Sequence, residues 1–163
     1  MLKHFFIALA TIAALALPAA AQNASEIAKV RNGQSCPGCN LFQADLAYYD
    51  ADGIDVSGSR LRQSDMQLGT FDNWNLRGAN LSVANLFGMR FNSSNFSNVN
   101  FENATLVGGY FGASNFTGAN LSGANLSGAD LHLVRGLTQG QLNRACGDRT
   151  TQLPGGLTIP RCG

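Results

Sequence analysis

Residues 118–126 read Gly-Ala-Asn-Leu-Ser-Gly-Ala-Asn-Leu and contain the unit from which most of the chain is built. Leu121 and Leu126 lie five residues apart, and each follows an Ala-Asn pair. Every fifth residue from Leu41 to Leu131 continues this series, and 18 of these 19 central positions are Leu, Phe, Met or Val. No insertion breaks the register, so one repeat extends over most of the chain.

The other positions of the unit have their own chemistry. Two residues before the centre, 14 of 19 positions are Ala, Ser, Gly or Cys, and one residue before it 14 of 19 are Asn or Asp. A period of five matches neither the helical period of 3.6 nor the strand period of 2. It fits a short extended segment followed by a corner, in which the centre and the small residue point inward and Asn or Asp points outward.

The tandem pattern Ala-(Asp/Asn)-Leu-x-x over residues 39–135 resembles the pentapeptide-repeat family. The resemblance implies an all-β fold, a right-handed quadrilateral β-helix with four units per coil and short helical end caps. Residues 20 apart would then stack, about 4.8 Å apart as in paired strands. The expected Phe columns are Phe71-Phe91-Phe111 and Phe96-Phe116.

Five large side chains occupy positions that the pattern reserves for small inward residues: Tyr49, Ile54, Trp74, Met89 and Val99. Either the coil widens there or these side chains turn outward, and the sequence leaves both placements open. Arg60 and Arg90 replace the Asn or Asp of the unit, which is compatible with a position that faces water.

The first 21 residues have the features of a signal peptide. A short positive start at Lys3 precedes an apolar run over residues 5–17 and the small residues Ala19-Ala20-Ala21. The apolar run is shorter than the roughly 20 residues that cross a bilayer. We therefore expect cleavage before Gln22, a periplasmic or secreted protein, and no membrane association after cleavage.

The two open ends of a solenoid expose unpaired strand edges, which must be covered. The chain accordingly divides into four parts: a signal peptide (1–21), an N-terminal cap segment (22–35), the repeats (36–135), and a C-terminal cap with a short helix and a tail (136–163).

Each cap segment contains a helix signal. Residues Ser25 to Asn32 predict a short helix with Ser25 as N-cap and Gly33 after its end. Thr138 and Gln141 have the spacing of a capping box, and Gly147 would follow the second helix. Apolar cover for the last coil would come from Leu142, Leu153, Leu157 and Ile159.

The four cysteines favour disulfide bonds, because the chain is predicted to be exported. Cys36 and Cys39 lie at one end of the repeats, and Cys146 and Cys162 lie at the other. Ends separated by most of five coils cannot pair with each other, so we expect the bonds Cys36–Cys39 and Cys146–Cys162. The spacing of Cys36 and Cys39 is also that of thiol oxidoreductases, which gives a thiol-disulfide redox protein as an alternative. No helix start follows to activate a thiol, which favours a structural clamp.

The charge balance gives no support to polyanion-binding functions. The whole chain has a formal net charge of +1, and removal of residues 1–21 takes away Lys3 and leaves it neutral. A neutral chain has no electrostatic attraction to nucleic acid or to an anionic membrane. Some pentapeptide-repeat proteins resemble DNA and bind DNA gyrase, but that role needs an acidic rod in the cytoplasm. A DNA-mimic gyrase-binding protein is therefore the weaker alternative.

The sequence offers no constellation for catalysis, metal binding or cofactor binding. Asp50, Asp52 and Asp55 are spaced a little like a calcium loop, but Leu61 stands at the twelfth position, where the loop needs Glu. His132 is the single His outside the predicted signal peptide, which leaves no histidine metal cluster. We expect a protein that is not an enzyme and has no cofactor.

Exposed aromatic residues beside Arg are typical of protein interfaces. Candidates for such an interaction surface are Phe42, Arg60, Arg62, Arg77, Phe87 and Tyr110. The predicted function is a non-catalytic exported structural or protein-interaction module. Its partner and its oligomeric state do not follow from the sequence.

Overall fold

The computed structural model describes residues 21–163, so the predicted signal peptide lies outside the described residues apart from Ala21. Helix α1 (Ala24–Arg31) precedes the repeats, and helix α2 (Gln139–Leu142) follows them. Between the helices the backbone forms single-residue parallel β-bridges, each joining residues 20 apart, from Asn40↔Arg60 to Asn115↔Arg135. One coil therefore holds four five-residue units, and the repeats form a β-helix.

Each unit supplies one short face and one corner to its coil. The outward bridge residues define four faces. The first face carries Asn40, Arg60, Asn80, Asn100 and Asn120, and the second carries Asp45, Asp65, Asn85, Thr105 and Asn125. The third carries Asp50, Thr70, Arg90, Tyr110 and Asp130, and the fourth carries Asp55, Asn75, Asn95, Asn115 and Arg135. The two residues that follow each centre form the corner, and a corner takes the number of the face before it.

The corners explain why the unit contains Asn or Asp. The side-chain oxygen accepts a hydrogen bond from the backbone N–H two residues later, at 3.0 Å for Asn115 and Thr117 and at 3.1 Å for Asn120 and Ser122. The second corner residue has a positive φ in every unit from Gly38 to Gly128. An Asn or Asp at the bridge position therefore adds a side-chain hydrogen bond to a turn that the backbone makes in every unit.

The centres form the core, as the five-residue period predicts. Leu81, Leu86 and the stacked Phe residues have no exposed surface. The ring centroids of Phe71 and Phe91 are 5.0 Å apart, and those of Phe91 and Phe111 are 6.4 Å apart. In the neighbouring column the centroids of Phe96 and Phe116 are 5.0 Å apart. Both predicted Phe columns are confirmed.

The five large side chains at small positions lie inside the coil or against its end. Ile54, Trp74, Met89 and Val99 are buried. Tyr49 packs partly buried against the core, and its hydroxyl donates to the carbonyl oxygen of Val30 in α1 at 2.6 Å. Of the two placements that the sequence left open, the inward one is therefore correct.

Glycine provides room on the third face for the Met89 side chain, and at the equivalent position of an earlier coil for the Phe71 ring and the backbone of Tyr49. A Cβ on Gly109 would lie 2.7 Å from the terminal methyl of Met89, one coil earlier. A Cβ on Gly69 would lie 2.6 Å from the backbone oxygen of Tyr49 and from the Phe71 ring. Large and minimal residues thus alternate along this inward column, which keeps the packing density near that of a normal core.

Helix α1 covers one corner of the N-terminal end. The prediction of a helix here is confirmed, but Ser25 is not its N-cap. Asn23 occupies that position, and its side-chain oxygen accepts from the N–H of Glu26 at 3.3 Å. Asn is as good an N-cap as Ser, and Glu26 lies at the third position after Asn23, so the helix starts two residues earlier than expected. The Glu26 carboxylate accepts from the unpaired N–H of Asn40 at 2.6 Å and so covers an edge of the first coil.

Helix α2 begins at the predicted capping box but is shorter than expected. Thr138 and Gln141 form both capping-box bonds, and the helix ends at Leu142 with Asn143 as C-cap. Gly147 does not follow the helix directly, because Cys146 has already returned to pair with Asn125 on the second face. Leu142 is buried, and the other predicted covering residues pack partly buried against the core: Leu153, Leu157 and Ile159.

The C-terminal tail adds one more strand to the second face. Arg161 forms a parallel bridge with Gly147, whose N–H donates to the carbonyl oxygen of Pro160 at 2.8 Å. A disulfide bond joins Cys146 to Cys162 beside this bridge, and a second joins Cys36 to Cys39 at the other end. Within residues 21–163 no helix has the length and apolar character needed to cross a bilayer.

Candidate functional site

The outward faces of the rod are ladders of amides and carboxylates. The side-chain amide of Asn120 donates to Asn100 one coil earlier at 2.9 Å, and that of Asn85 donates to Asp65 at 3.1 Å. The same side chains accept hydrogen bonds from the backbone of the corners, so their positions are fixed both by the ladder and by the corner. The faces are consequently flat, polar and pre-ordered.

The six residues that sequence reasoning selected as an interaction surface lie on different parts of the rod. Phe42 and Arg62 occupy the same position of the first corner in successive coils, and Arg60 lies on the first face beside them. Arg77 is exposed at the fourth corner, and Phe87 is exposed at the second corner. Tyr110 is half-buried on the third face, where its ring lies over Gly112. Three of the six, namely Phe42, Arg60 and Arg62, therefore lie at the first corner or directly next to it.

The second corner carries a row of apolar side chains, here called the apolar ridge, made of Tyr48, Leu68, Phe87 and Val107. Tyr48 is 69% exposed, Leu68 46% and Phe87 45%. The N–H of Leu68 donates to the carbonyl oxygen of Phe87 at 2.9 Å, and the N–H of Gly88 donates to that of Val107 at 2.8 Å. The N–H of Tyr48 bonds in the same way to the carbonyl oxygen of Gln67, so the corners that carry these side chains stack through four successive coils.

Leu68 was not among the residues selected from the sequence. The signal is present at the second corner position, which has a positive φ in every unit: Gly, Asn or a polar residue is usual there, whereas Tyr48 and Leu68 are large and apolar. The Leu68 side chain lies over Gly88, where an added Cβ would be 2.8 Å from a Leu68 methyl. An apolar residue in a backbone conformation that disfavours it is the feature to search for in such repeats.

Charged side chains are paired locally where the described residues bring them together. Arg90 on the third face bonds to Asp72 at the third corner, at 2.7 Å. The N–H of Ser57 donates to Asp55 and holds the pKa of that carboxyl below its ordinary value of 3.8. The hydroxyl and N–H of Thr150 likewise lower the pKa of Asp148. These interactions are corner contacts and belong to the fold.

The calcium-loop residues do not converge on one point. Asp50 accepts from the N–H of Thr70 at 3.0 Å, and Asp52 accepts from the Asn73 side chain at 2.6 Å. Across residues 21–163 no three His, Cys, Asp or Glu side chains are grouped so that they could hold a metal ion. His132 contacts its neighbour Asp130 at the surface and is largely exposed.

Cys36 and Cys39 are buried, with 4% and 9% of their surface exposed. The Ser59 side chain from the next coil accepts from the N–H of Cys39 and donates to the carbonyl oxygen of Cys36, both at 3.0 Å. A redox-active pair needs an accessible sulfur that can be attacked by an incoming thiolate. The position of this pair suits a clamp on the first coil.

A comparison with known protein families agrees with the five-residue period of the sequence. A family model for pentapeptide repeats matches residues 94–132 in eight copies. No curated protein sequence matches the chain.

Several solved structures are similar to the chain. QnrB1, described as a plasmid-mediated fluoroquinolone resistance protein, is 18% identical with a TM-score of 0.44, and the match covers 61% of this chain and 57% of that one. The pentapeptide repeat protein Rfr23 from the cyanobacterium Cyanothece 51142 is 21% identical with a TM-score of 0.39, over 79% and 97%. HetL from Nostoc sp. strain PCC 7120 is 25% identical with a TM-score of 0.35, over 72% and 54%.

The chain thus spans little more than half the length of QnrB1 and of HetL. Residues 94–132 match the family model for pentapeptide repeats, and the same five-residue register and the bridges between residues 20 apart continue outside that range, so the body of the chain is built from pentapeptide repeats.

Proposed function

We propose that the protein is a non-catalytic structural or protein-interaction module that works outside the cytoplasm, built on a right-handed quadrilateral β-helix. The observation that carries the proposal is how the coils use their side chains. The centres fill the interior, while the outward amides are bonded to the corners and to one another. A rod of this kind offers a rigid surface to a partner rather than a cleft to a substrate.

The two disulfide bonds support the extracytoplasmic part of the proposal. One bond clamps each end of the rod, and disulfides persist in oxidising compartments. The predicted signal peptide points in the same direction. To test export, the full chain is expressed with a C-terminal epitope, the cells are fractionated, and the N-terminus of the recovered protein is sequenced. Recovery from the periplasm or the medium with Gln22 first is expected, whereas an intact Met1 in the cytosol contradicts export.

The interaction role is tested by photo-crosslinking from each face in turn. A photoreactive residue replaces one outward residue per face: Arg60, Thr105, Thr70 or Asn115. Because the faces are separate flat surfaces, a specific partner is captured from one or two of them, and unlabelled protein competes for it. Equal capture from all four faces, or capture that no competitor reduces, contradicts an interaction module.

A further inference from the structure

The apolar ridge differs from the other three corners in having no charge. Through the same four coils its corner positions are Ala47, Tyr48, Gln67, Leu68, Phe87, Gly88, Val107 and Gly108. The first corner contains Arg62 and Glu102, the third contains Asp52 and Asp72, and the fourth contains Arg77. Since only 13% of the chain is charged, the absence of charge at one corner is not decisive alone. Three of the five exposed large apolar side chains among residues 21–163 lie at this one corner, which marks it as a contact surface.

The charges beside the ridge are distributed unevenly along the rod. In the first two coils the flanking faces carry three carboxylates, Asp45, Asp50 and Asp65. In the next two coils the same faces carry none and present Asn85, Arg90, Thr105 and Tyr110. Two ridges packed side by side in parallel would bring Asp45 of each copy beside Asp50 of the other and would gather all six carboxylates at one end of the contact. An antiparallel arrangement instead places each carboxylate opposite a neutral side chain: Asp45 opposite Thr105, Asp65 opposite Asn85, and Asp50 opposite Tyr110.

The ridge side chains also match in size when two copies run antiparallel. A two-fold axis between Leu68 and Phe87 places Leu68 of one copy against Phe87 of the other. The same axis places Tyr48, the most exposed, against Val107, which is small and half-buried. A two-fold contact of this type is self-complementary, because each pairing occurs twice.

We propose that two copies of the chain associate side by side and antiparallel along the apolar ridge. The ridge is narrow, so the interface lies at the small end of specific protein contacts and its affinity is modest. Association with a second copy needs no other partner, and it is independent of the export and capture experiments above.

Sedimentation velocity over a range of protein concentrations tests the association. The full coding sequence is expressed so that any processing takes place, and the wild type is expected to pass from monomer to dimer. Leu68→Glu and Phe87→Glu place a charge in the contact and weaken the dimer about tenfold or more. Val83→Glu is the matched control, because Val83 at the first corner is 45% exposed with φ 58 and Leu68 is 46% exposed with φ 55. The control dimerises as the wild type does.

Thiol cross-linking tests the antiparallel orientation. Tyr48→Cys and Val107→Cys chains are treated singly and as a mixture with a short bifunctional thiol reagent. The mixture cross-links between the two chains, whereas neither variant cross-links to itself. Self-linking of the Tyr48→Cys chain indicates parallel packing and overturns the proposal. A wild type that stays monomeric at every concentration also overturns it, as does a Leu68→Glu chain with an unchanged melting temperature that dimerises normally.

Discussion

The indole Nε1–H of Trp74 donates a hydrogen bond of 2.9 Å to the carbonyl oxygen of Ala51, which lies 23 residues earlier in the chain. Ala51 is the only centre of the repeat that is not a large apolar residue. The Trp74 ring is 99% buried and meets the Phe71 ring edge-on, with centroids 5.0 Å apart. Trp74 therefore fills from the second coil the space that Ala51 leaves in the first.

The first prediction concerns this exchange of volume. Trp74→Ser should lower the free energy of unfolding by about 3–5 kcal/mol, because it opens a cavity the size of an indole. Ala51→Leu alone should cost about 1–3 kcal/mol through overpacking. The double variant restores the ordinary unit, with Ser in the column that already holds Ser94 and Ser114, and should recover much of the loss. Urea unfolding measures all three, and strictly additive losses would contradict the exchange.

The second prediction uses the alternation of Met89 and Gly109. Gly109→Ala should destabilise the rod by about 1–3 kcal/mol, since its Cβ would stand 2.7 Å from the Met89 methyl. In a Met89→Ala background the same change meets only the Phe111 ring, 3.0 Å from the new Cβ, so its cost should be clearly smaller. Thermal unfolding of the four chains in this cycle gives the coupling energy. A cost for Gly109→Ala that is the same in both backgrounds rules out the contact as its cause.

A third prediction concerns two serines at equivalent inward positions on neighbouring faces. Among residues 21–163, the Ser64 hydroxyl is buried without a hydrogen-bond partner, whereas the Ser59 hydroxyl makes two bonds to the first coil. Ser64→Ala should therefore raise the free energy of unfolding by about 1 kcal/mol, and Ser59→Ala should lower it by a similar amount. The two substitutions remove the same atom, so opposite signs in chemical denaturation test the hydrogen bonds alone. Equal signs would refute this assignment.

The fourth prediction follows from the lowered pKa of Asp55, which the N–H of Ser57 causes. In the unfolded chain this carboxylate takes up a proton near its ordinary pKa, whereas in the folded chain it stays ionised to lower pH. The unfolded state therefore binds more protons in this window. The contribution of Asp55 is present above about pH 4 and is lost as the pH falls through the folded pKa.

Asp55→Asn provides the test of this pH dependence. Asn75, Asn95 and Asn115 in the same column make the same corner bond without a charge, so the variant keeps the corner. Its stability should be close to that of the wild type at neutral pH and should decrease less in acid. Unfolding curves measured at pH 7 and at about pH 3 give the comparison. An identical acid loss in the two proteins would exclude this carboxyl as a source.

The sequence predicted the parts of the fold that the period determines. Residues 20 apart stack, so the identities at the centres were enough to place Phe71, Phe91 and Phe111 in one column. The inward placement of Trp74 did not follow, because it depends on Ala51 in another unit and on a hydrogen bond across coils. The repeat pattern predicts which residue type each position prefers. It does not show that a large residue in one coil fills the space left by a small residue in another, because that requires the positions of both residues.

The cap boundaries and the apolar ridge were harder to predict for different reasons. Ser25 and Asn23 are both good N-cap residues. The hydrogen bond that Glu26 accepts from the N–H of Asn40 distinguishes between them, and this bond exists only in the folded chain. Helix α2 ends early because Cys146 pairs with Asn125, a contact that its local sequence does not encode. Phe87 is the first residue of its corner, whereas Leu68 is the second residue of its own. Because these positions within the unit differ, the fact that both residues belong to the second corner is visible only when successive coils are superposed.

The bridge between Gly147 and Arg161 has a consequence for the order in which the protein is made. Each earlier coil can dock on the coil before it as soon as it leaves the ribosome or the export channel, since its partners are already present. The last layer of the second face is different, because Gly147 pairs with Arg161, which follows it in the chain by 14 residues. The growing end of the rod therefore keeps an open edge until Arg161 has emerged, and Cys162 joins Cys146 only after that. Chains that stop short of Cys162 would lack this closure and would be open to proteolysis and to edge pairing with other chains.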